Sequence, residues 1–231
     1  MNAKVRRRIE MGRQVAAFGR DHPDDSAGYV AMSTRMDELL ARADVLADQQ
    51  LDGFHAVRAA TTRKYELRRV MKSAHLGHIV GIARIAAREV PELAQKFVLP
   101  ERGSSYLAFR TTARTLAAEA VARKDVLIRY GLAEKVLDDL LQAIAQFDQA
   151  IEQGTNGRRA HVAASAELET LSEEIVQLVK GMHGLNRFRF TSAPELLAAW
   201  ESASNVFTTT PSRAAPDGED APEESEVKPA A

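Results

Sequence analysis

The chain has 231 residues, 45% hydrophobic and 27% charged, the balance of a soluble globular protein. Its 31 Lys and Arg nearly cancel 32 Asp and Glu, which excludes a uniformly basic nucleic-acid binder and a strongly acidic solvating chain. Zero Cys excludes disulfides, thiolate metal sites, iron–sulfur clusters and cysteine nucleophiles together.

The opening residues, MNAKVRRRIEMGR, are basic with no apolar run behind them, so they do not read as a secretory signal. No stretch approaches the roughly 18 uninterrupted apolar residues of a membrane span. The expected location is the cytoplasm. Four prolines (Pro211, Pro216, Pro222, Pro229) crowd the C-terminal end; the others are Pro23, Pro91, Pro100 and Pro194. Proline costs about 3 kcal/mol inside a helix, so these mark helix boundaries. Between them run Ala-, Leu-, Glu- and Arg-rich stretches without convincing strand alternation. The predicted fold is all-α, an elongated bundle of long coiled-coil-like helices forming one domain over 1–207.

The first helix is expected over about 4–20, with Val5, Ile9, Gly12 and Ala16 as an apolar stripe. Asp24, Asp25 or Ser26 can cap a second helix, 26–89. Its seven-residue repeat runs Met36, Ala43, Gln50, Val57, Lys64, Met71, His78, Ile85. The companion set is Leu39, Leu46, Gly53/Phe54, Ala60, Leu67, Ala74, Gly81/Ile82. Such a seam implies a helix about 90 Å long in side-by-side contact with another. Pro91 to Ser105 is a connector with a short helix at Glu92–Phe97. A third helix is expected over 106–130 and a fourth over 133–185. Gly154-Thr155-Asn156-Gly157 resembles a turn, yet Phe147, Leu168, Ile175 and Met182 stay in phase across it. A break there and a continuous helix both remain open. Ser192-Ala193-Pro194-Glu195 reads as a capping box that opens a last helix, 195–204. The end, 208–231, is expected to be a disordered acidic tail. Within it, Ser212 to Ala231 sets Arg213 and Lys228 against six acids, net −4, which leaves +3 of the total −1 on the remainder.

The phosphate loop, the dinucleotide fingerprint, His-Glu-x-x-His, Gly-x-Ser-x-Gly and Glu-x-x-His are all missing from the sequence. No catalytic residue and no cofactor is therefore expected. His75 and His78 share a helix face and could share a metal, or one could ligate haem, with His161 or His183 completing the set. The plainer reading makes His78 a polar register residue within the seam. Gly77, Gly81, Gly154 and Gly157 suit a close helix crossing. Two basic clusters could meet phosphates or anionic lipid: Lys4, Arg6, Arg7, Arg8, Arg13 and Arg20, then Arg58, Arg63, Lys64, Arg68, Arg69 and Lys72. They spread around their helices, so pairing with acids such as Glu167, Glu169, Glu173 and Glu174 is the simpler expectation, and nucleic acid is disfavoured. Arg187, Phe188, Arg189 and Phe190 form a candidate interaction edge. Alternatively Phe188 and Phe190 dock the final helix, with Trp200 as its anchor.

The segment Gly184-Leu185-Asn186-Arg187-Phe188-Arg189-Phe190, followed by PELLAAWESA (194–203), resembles a family of uncharacterised helical proteins from soil bacteria. The likeness extends loosely over 1–207, including Gly157-Arg158-Arg159-Ala160-His161. It implies a bacterial, cytoplasmic setting and no catalytic residues. The leading expectation is a non-enzymatic scaffold or protein–protein interaction protein, self-associating (as a homodimer, for instance) through its heptad seams. A metal- or haem-binding bundle and an anionic-surface binder stand as alternatives.

Overall fold

A computed structural model describes residues 1–205; the expected acidic tail lies outside them. All regular structure among these residues is helical. Helix α1 spans Ala3–Asp21 and is capped by Asn2, whose side chain accepts from the Val5 N–H at 2.8 Å. Helix α2 (Ala27–Val70) passes through a π-helical turn (Met71–Leu76) into α3 (Gly77–Ala86). Together they make one rod about 90 Å long at 1.5 Å per residue. A short α4 (Glu92–Lys96) follows, then α5 (Tyr106–Ala122), α6 (Lys124–Arg129), α7 (Glu134–Arg189) and α8 (Pro194–Ala203).

One open question closes here and three sequence expectations change. Helix α7 runs unbroken through Gly154–Gly157, so the in-phase stripe prevailed over the turn signal. The expected third helix breaks at Arg123, which leaves the helical region at φ −115° and ψ 21°; α6 can then bury Leu127. Helix α8 starts at Pro194 after Ala193, with no side-chain cap, so Ser192 closes no capping box. The π-helical turn rotates the rod. Gly77 N–H bonds Lys72 O, five residues back, and this inserts one residue into the register. The seam set through Met71 is therefore replaced beyond it by Leu76, Ile79, Ala83 and Ala86, which are buried, while His78 and Ile85 face outward.

The two long helices lie antiparallel and cross at two glycines. A Cβ on Gly53 would stand 2.8 Å from Gly157 O, and one on Gly157 would stand 3.0 Å from Gly53 O. These reciprocal contacts reveal that the chain is built twice, at an offset of 104 residues (53 to 157). Helix α1 corresponds to α5, α2 to α7, and α4 to α8. Buried partners match along the way: Val5 with Phe109, Met36 with Leu140, Leu46 with Ala150, Leu67 with Leu171, and Met71 with Ile175. Past the π-helical turn the offset falls to 103, since only the first copy carries the extra residue. There Leu76 matches Val179, Ile79 matches Met182, and Phe97 matches Trp200. The motif Gly-Ile-Ala-Arg-Ile…Pro-Glu-Leu (81–85, 91–93) returns as Gly-Leu-Asn-Arg-Phe…Pro-Glu-Leu (184–188, 194–196).

The copies exchange halves. One core joins Leu67–Phe97 of the first copy to Phe109–Phe147 of the second. The other joins Val5–Leu46 of the first to Ala164–Trp200 of the second. Between these two cores the molecule narrows to the α2–α7 pair around Gly53 and Gly157, a waist where bulky side chains are replaced by Gly and Ala.

Candidate functional site

The waist has two faces. On one, a shallow groove of about 740 Å³ is lined by residues that fall entirely into pairs 104 apart. They are Gln49/Gln153, Asp52/Asn156, Gly53/Gly157, Ala56/Ala160, Ala59/Ala163, Ala60/Ala164 and Arg63/Glu167. Five of these seven pairs are identical, although Gln49, Ala56, Ala59 and their partners are exposed. Close approach accounts for part of this: a Cβ on Gly157 would lie 2.9 Å from Ala56 Cβ, and one on Gly154 would lie 3.2 Å from Ala60 Cβ. Backbone proximity does not require Ala59 and Ala163 to be small. Charges rim the groove. Arg42 Nη2 meets Glu167 at 2.6 Å, and at the matching place across the twofold Arg63 Nη2 donates to Gln146 at 2.6 Å. Asp52 has no ion-pair partner among the described residues.

On the opposite face, divergence replaces identity: Phe54 corresponds to Arg158, and Val57 to His161. His161 Nδ1 donates to Gln50 O at 3.0 Å, and the buried Gln50 side chain donates to Ser165 at 2.6 Å. These bonds fix the seam's polar interruption.

The three histidines singled out from sequence do not converge. His161 touches Gln50, which precedes His75 by 25 residues on the same rod, about 37 Å away. His75 is half-buried in the π-helical turn and His78 is exposed. Among the described residues no group of three His, Cys, Asp or Glu is placed to hold a metal ion.

The edge at 187–190 splits. Arg187 is exposed and Phe188 is 86% exposed, so Phe188 docks nothing. Phe190 is buried edge-on to Phe18 at 5.9 Å. Arg189 donates to His22 O (2.9 Å) and Pro23 O (2.5 Å), pairs with Asp24 (3.4 Å) and covers the Phe190 ring. It latches the α1–α2 turn to the end of α7. Trp200 is fully buried, its Nε1–H donating to His183 Nδ1 at 3.0 Å.

The basic clusters are mostly engaged. Arg8 reaches Glu173 at 3.4 Å, Arg13 reaches Asp44 at 2.5 Å, and Arg20 lies 3.9 Å from Asp37. Lys64 and Arg68 lie over the Tyr106 ring. No helix of the described residues is long and apolar enough to cross a membrane.

The paired groove was missed from sequence, although its signal is present there: Gly-x-x-Ala-x-x-Ala-Ala occurs at 53–60 and again at 157–164. No protein-family model matches this chain, and neither a curated protein nor a solved structure does.

Proposed function

We propose that this protein is a non-enzymatic helical scaffold that makes protein–protein contact through the waist groove, with a second copy of itself as occupant. One observation carries the reading: three exposed pairs in the groove, Gln49/Gln153, Ala56/Ala160 and Ala59/Ala163, are the same in both copies, while exposed pairs on the opposite face, such as Leu51/Thr155 and Phe54/Arg158, are not. The heptad seams are not available for this role, since α2 and α7 fill each other's. Flat Ala and Gly surfaces let a second helix pair approach closely, and Gln49 and Gln153 offer amides that can pair with their own kind.

Charge selects the arrangement. If two grooves meet about an axis along the rods, α2 of each copy lies over α7 of the other. Asp52 then faces Asn156, and Arg42 faces Glu167. About an axis across the rods, Asp52 would face Asp52 and Arg42 would face Arg63, both repulsive. The lengthwise dimer is therefore the one this surface favours.

Sedimentation equilibrium tests the reading. The full chain is expected to dimerise, Ala59→Glu to abolish association, and Asn156→Asp, which sets a like charge against Asp52, to weaken it about tenfold or more. Adding Asp52→Lys to Asn156→Asp restores it. A monomer at every concentration, or a dimer indifferent to Ala59→Glu, would refute the proposal.

A further inference from the structure

The two copies differ most where one fills a space and the other leaves it open. In the core around α5 and α7, three rings pack at inclined angles: Tyr106 to Phe147 at 5.9 Å and Phe109 to Phe147 at 5.7 Å. The matching residues around α1 and α2 are Asn2, Ala43 and Val5, and Ile151 is matched by Ala47. Ile9 in place of Ala113 returns only part of the lost volume. The result is a cleft of about 570 Å³ between the start of α1 and α2. That size suits a small ligand.

The cleft wall is apolar and uncovered: Leu51 is 54% exposed and Phe54 45% exposed. Its rim is cationic. In the filled copy, Arg110 and Arg114 both pair with Asp148. In the open copy, the matching acid, Asp44, is held by Arg13 at 2.5 Å, and Arg6, the counterpart of Arg110, has no acidic partner among the described residues. Asp44 is the one acid in the lining. His161, whose Nδ1 is committed to Gln50 O, borders the same space.

We infer that this cleft binds an amphipathic anion, a carboxylate on a medium-length hydrocarbon chain. The chain lies on Ala47, Leu51 and Phe54, and the carboxylate meets the Arg6 guanidinium. Neither half of that pairing suffices alone. A bare anion would leave the apolar wall wet, and a neutral hydrocarbon would leave the Arg6 charge without a counter-ion at the cleft mouth. This site lies on the face opposite the groove and stands or falls separately from it.

The test is calorimetric titration of the full chain with decanoate, with decan-1-ol as the uncharged comparison. One decanoate should bind per chain. Ala47→Ile, which installs the residue the filled copy carries, should weaken decanoate at least tenfold with an unchanged melting curve. Arg6→Gln, at an exposed position, should weaken decanoate roughly tenfold by removing a charged hydrogen bond, and leave decan-1-ol unchanged. No decanoate binding tighter than about 1 mM to the wild-type chain, a scale of ~4 kcal/mol, would overturn the inference. So would undiminished binding to Ala47→Ile, or equal losses for acid and alcohol in Arg6→Gln.

Discussion

Deleting a single residue should be tolerated at one place in the long rod and fatal at another. The π-helical turn at Met71–Leu76 holds the residue that the second copy lacks. Removing Ser73, which is exposed, lets the rod continue as plain α-helix with Leu76, Ile79 and Ala83 still facing their core. The remaining cost is a shift of α3 and α4 by one residue rise, about 1.5 Å, which repacking should hold to roughly 1–3 kcal/mol. For a domain of this size that lowers Tm by about 2–12 °C. Removing the equally exposed Asp48 instead turns the two halves of α2 by about 100° relative to each other. Both halves pack on the one unbroken α7, so either Leu67, Met71, Leu76 and Ile79 or Met36, Leu39 and Leu46, all buried, must leave their core together. At about 2–5 kcal/mol each, that loss reaches the ~5–15 kcal/mol that holds an entire domain folded. Thermal melts followed by circular dichroism distinguish the two. A cooperative melt for the Asp48 deletion close to that of the Ser73 deletion would refute the register argument, and so would loss of the fold on deleting Ser73.

Two further outcomes follow from local geometry. Gly53→Ala places a methyl 2.7 Å from His161 N, a backbone atom that cannot give way, so overpacking should outweigh the helix-propensity gain and destabilise by about 1–3 kcal/mol. Gly184→Ala meets nothing within 4 Å and should stabilise by about 0.5–1 kcal/mol; equal signs in urea denaturation would contradict the crossing geometry. Burial holds the Tyr29 phenol above its ordinary value, with the neighbouring Asn186 side chain and Arg189 charge pulling the other way. The native state therefore keeps a proton that the unfolded chain releases near pH ~10, so this stability is whole below that pH and is lost as pH rises through the raised native value. Tyr29→Phe should flatten the alkaline fall in the urea midpoint, and identical slopes for variant and wild type would exclude burial as the cause.

Helix type was legible because it is a local matter. The proline-free stretches and the stripe through Phe147, Leu168 and Ile175 are properties of one strand of sequence, and α7 follows them through two glycines. What pairs with a stripe is not local. The same heptad that predicts contact between chains is satisfied here by an antiparallel partner within the chain. His78 was misplaced because a π-helical turn changes no composition; only the drop in offset from 104 to 103 betrays it. The seven-residue period hid the 104-residue one, since Ala-rich helices resemble each other at every heptad. Phe188 shows a different limit. Its alternation with Phe190 suggested a shared role, but 188 and 190 lie about 200° apart on a helix, so one ring meets Phe18 while the other meets solvent.

The exchange of halves also says why the waist can be so thin. Neither copy owns a core: α1 and the start of α2 bury their apolar faces against 164–200, and α3 with α4 bury theirs against α5 to α7. Each lobe is thus held by segments from both copies, and both lobes depend on the same two rods. Bulk at the crossing would push the rods apart and shift both cores together, so glycine is favoured where Gly53 and Gly157 touch. Away from that contact the copies were free to differ, and they did so at buried positions as well. Val80, Ala83 and Phe97 at one end answer to His183, Asn186 and Trp200 at the other. Asn186 is fully buried beside the Tyr29 hydroxyl, and among the described residues neither of its side-chain polar atoms has a hydrogen bond of ordinary geometry, a cost the apolar end does not carry. Packing alone would favour the cheaper residue at both ends. The polar end and the open cleft fall in the same lobe, built on α1, whereas its twin places apolar side chains at the matching positions, Val80, Ala83 and Phe97 at its end and Phe109, Phe147 and Ile151 where the cleft opens.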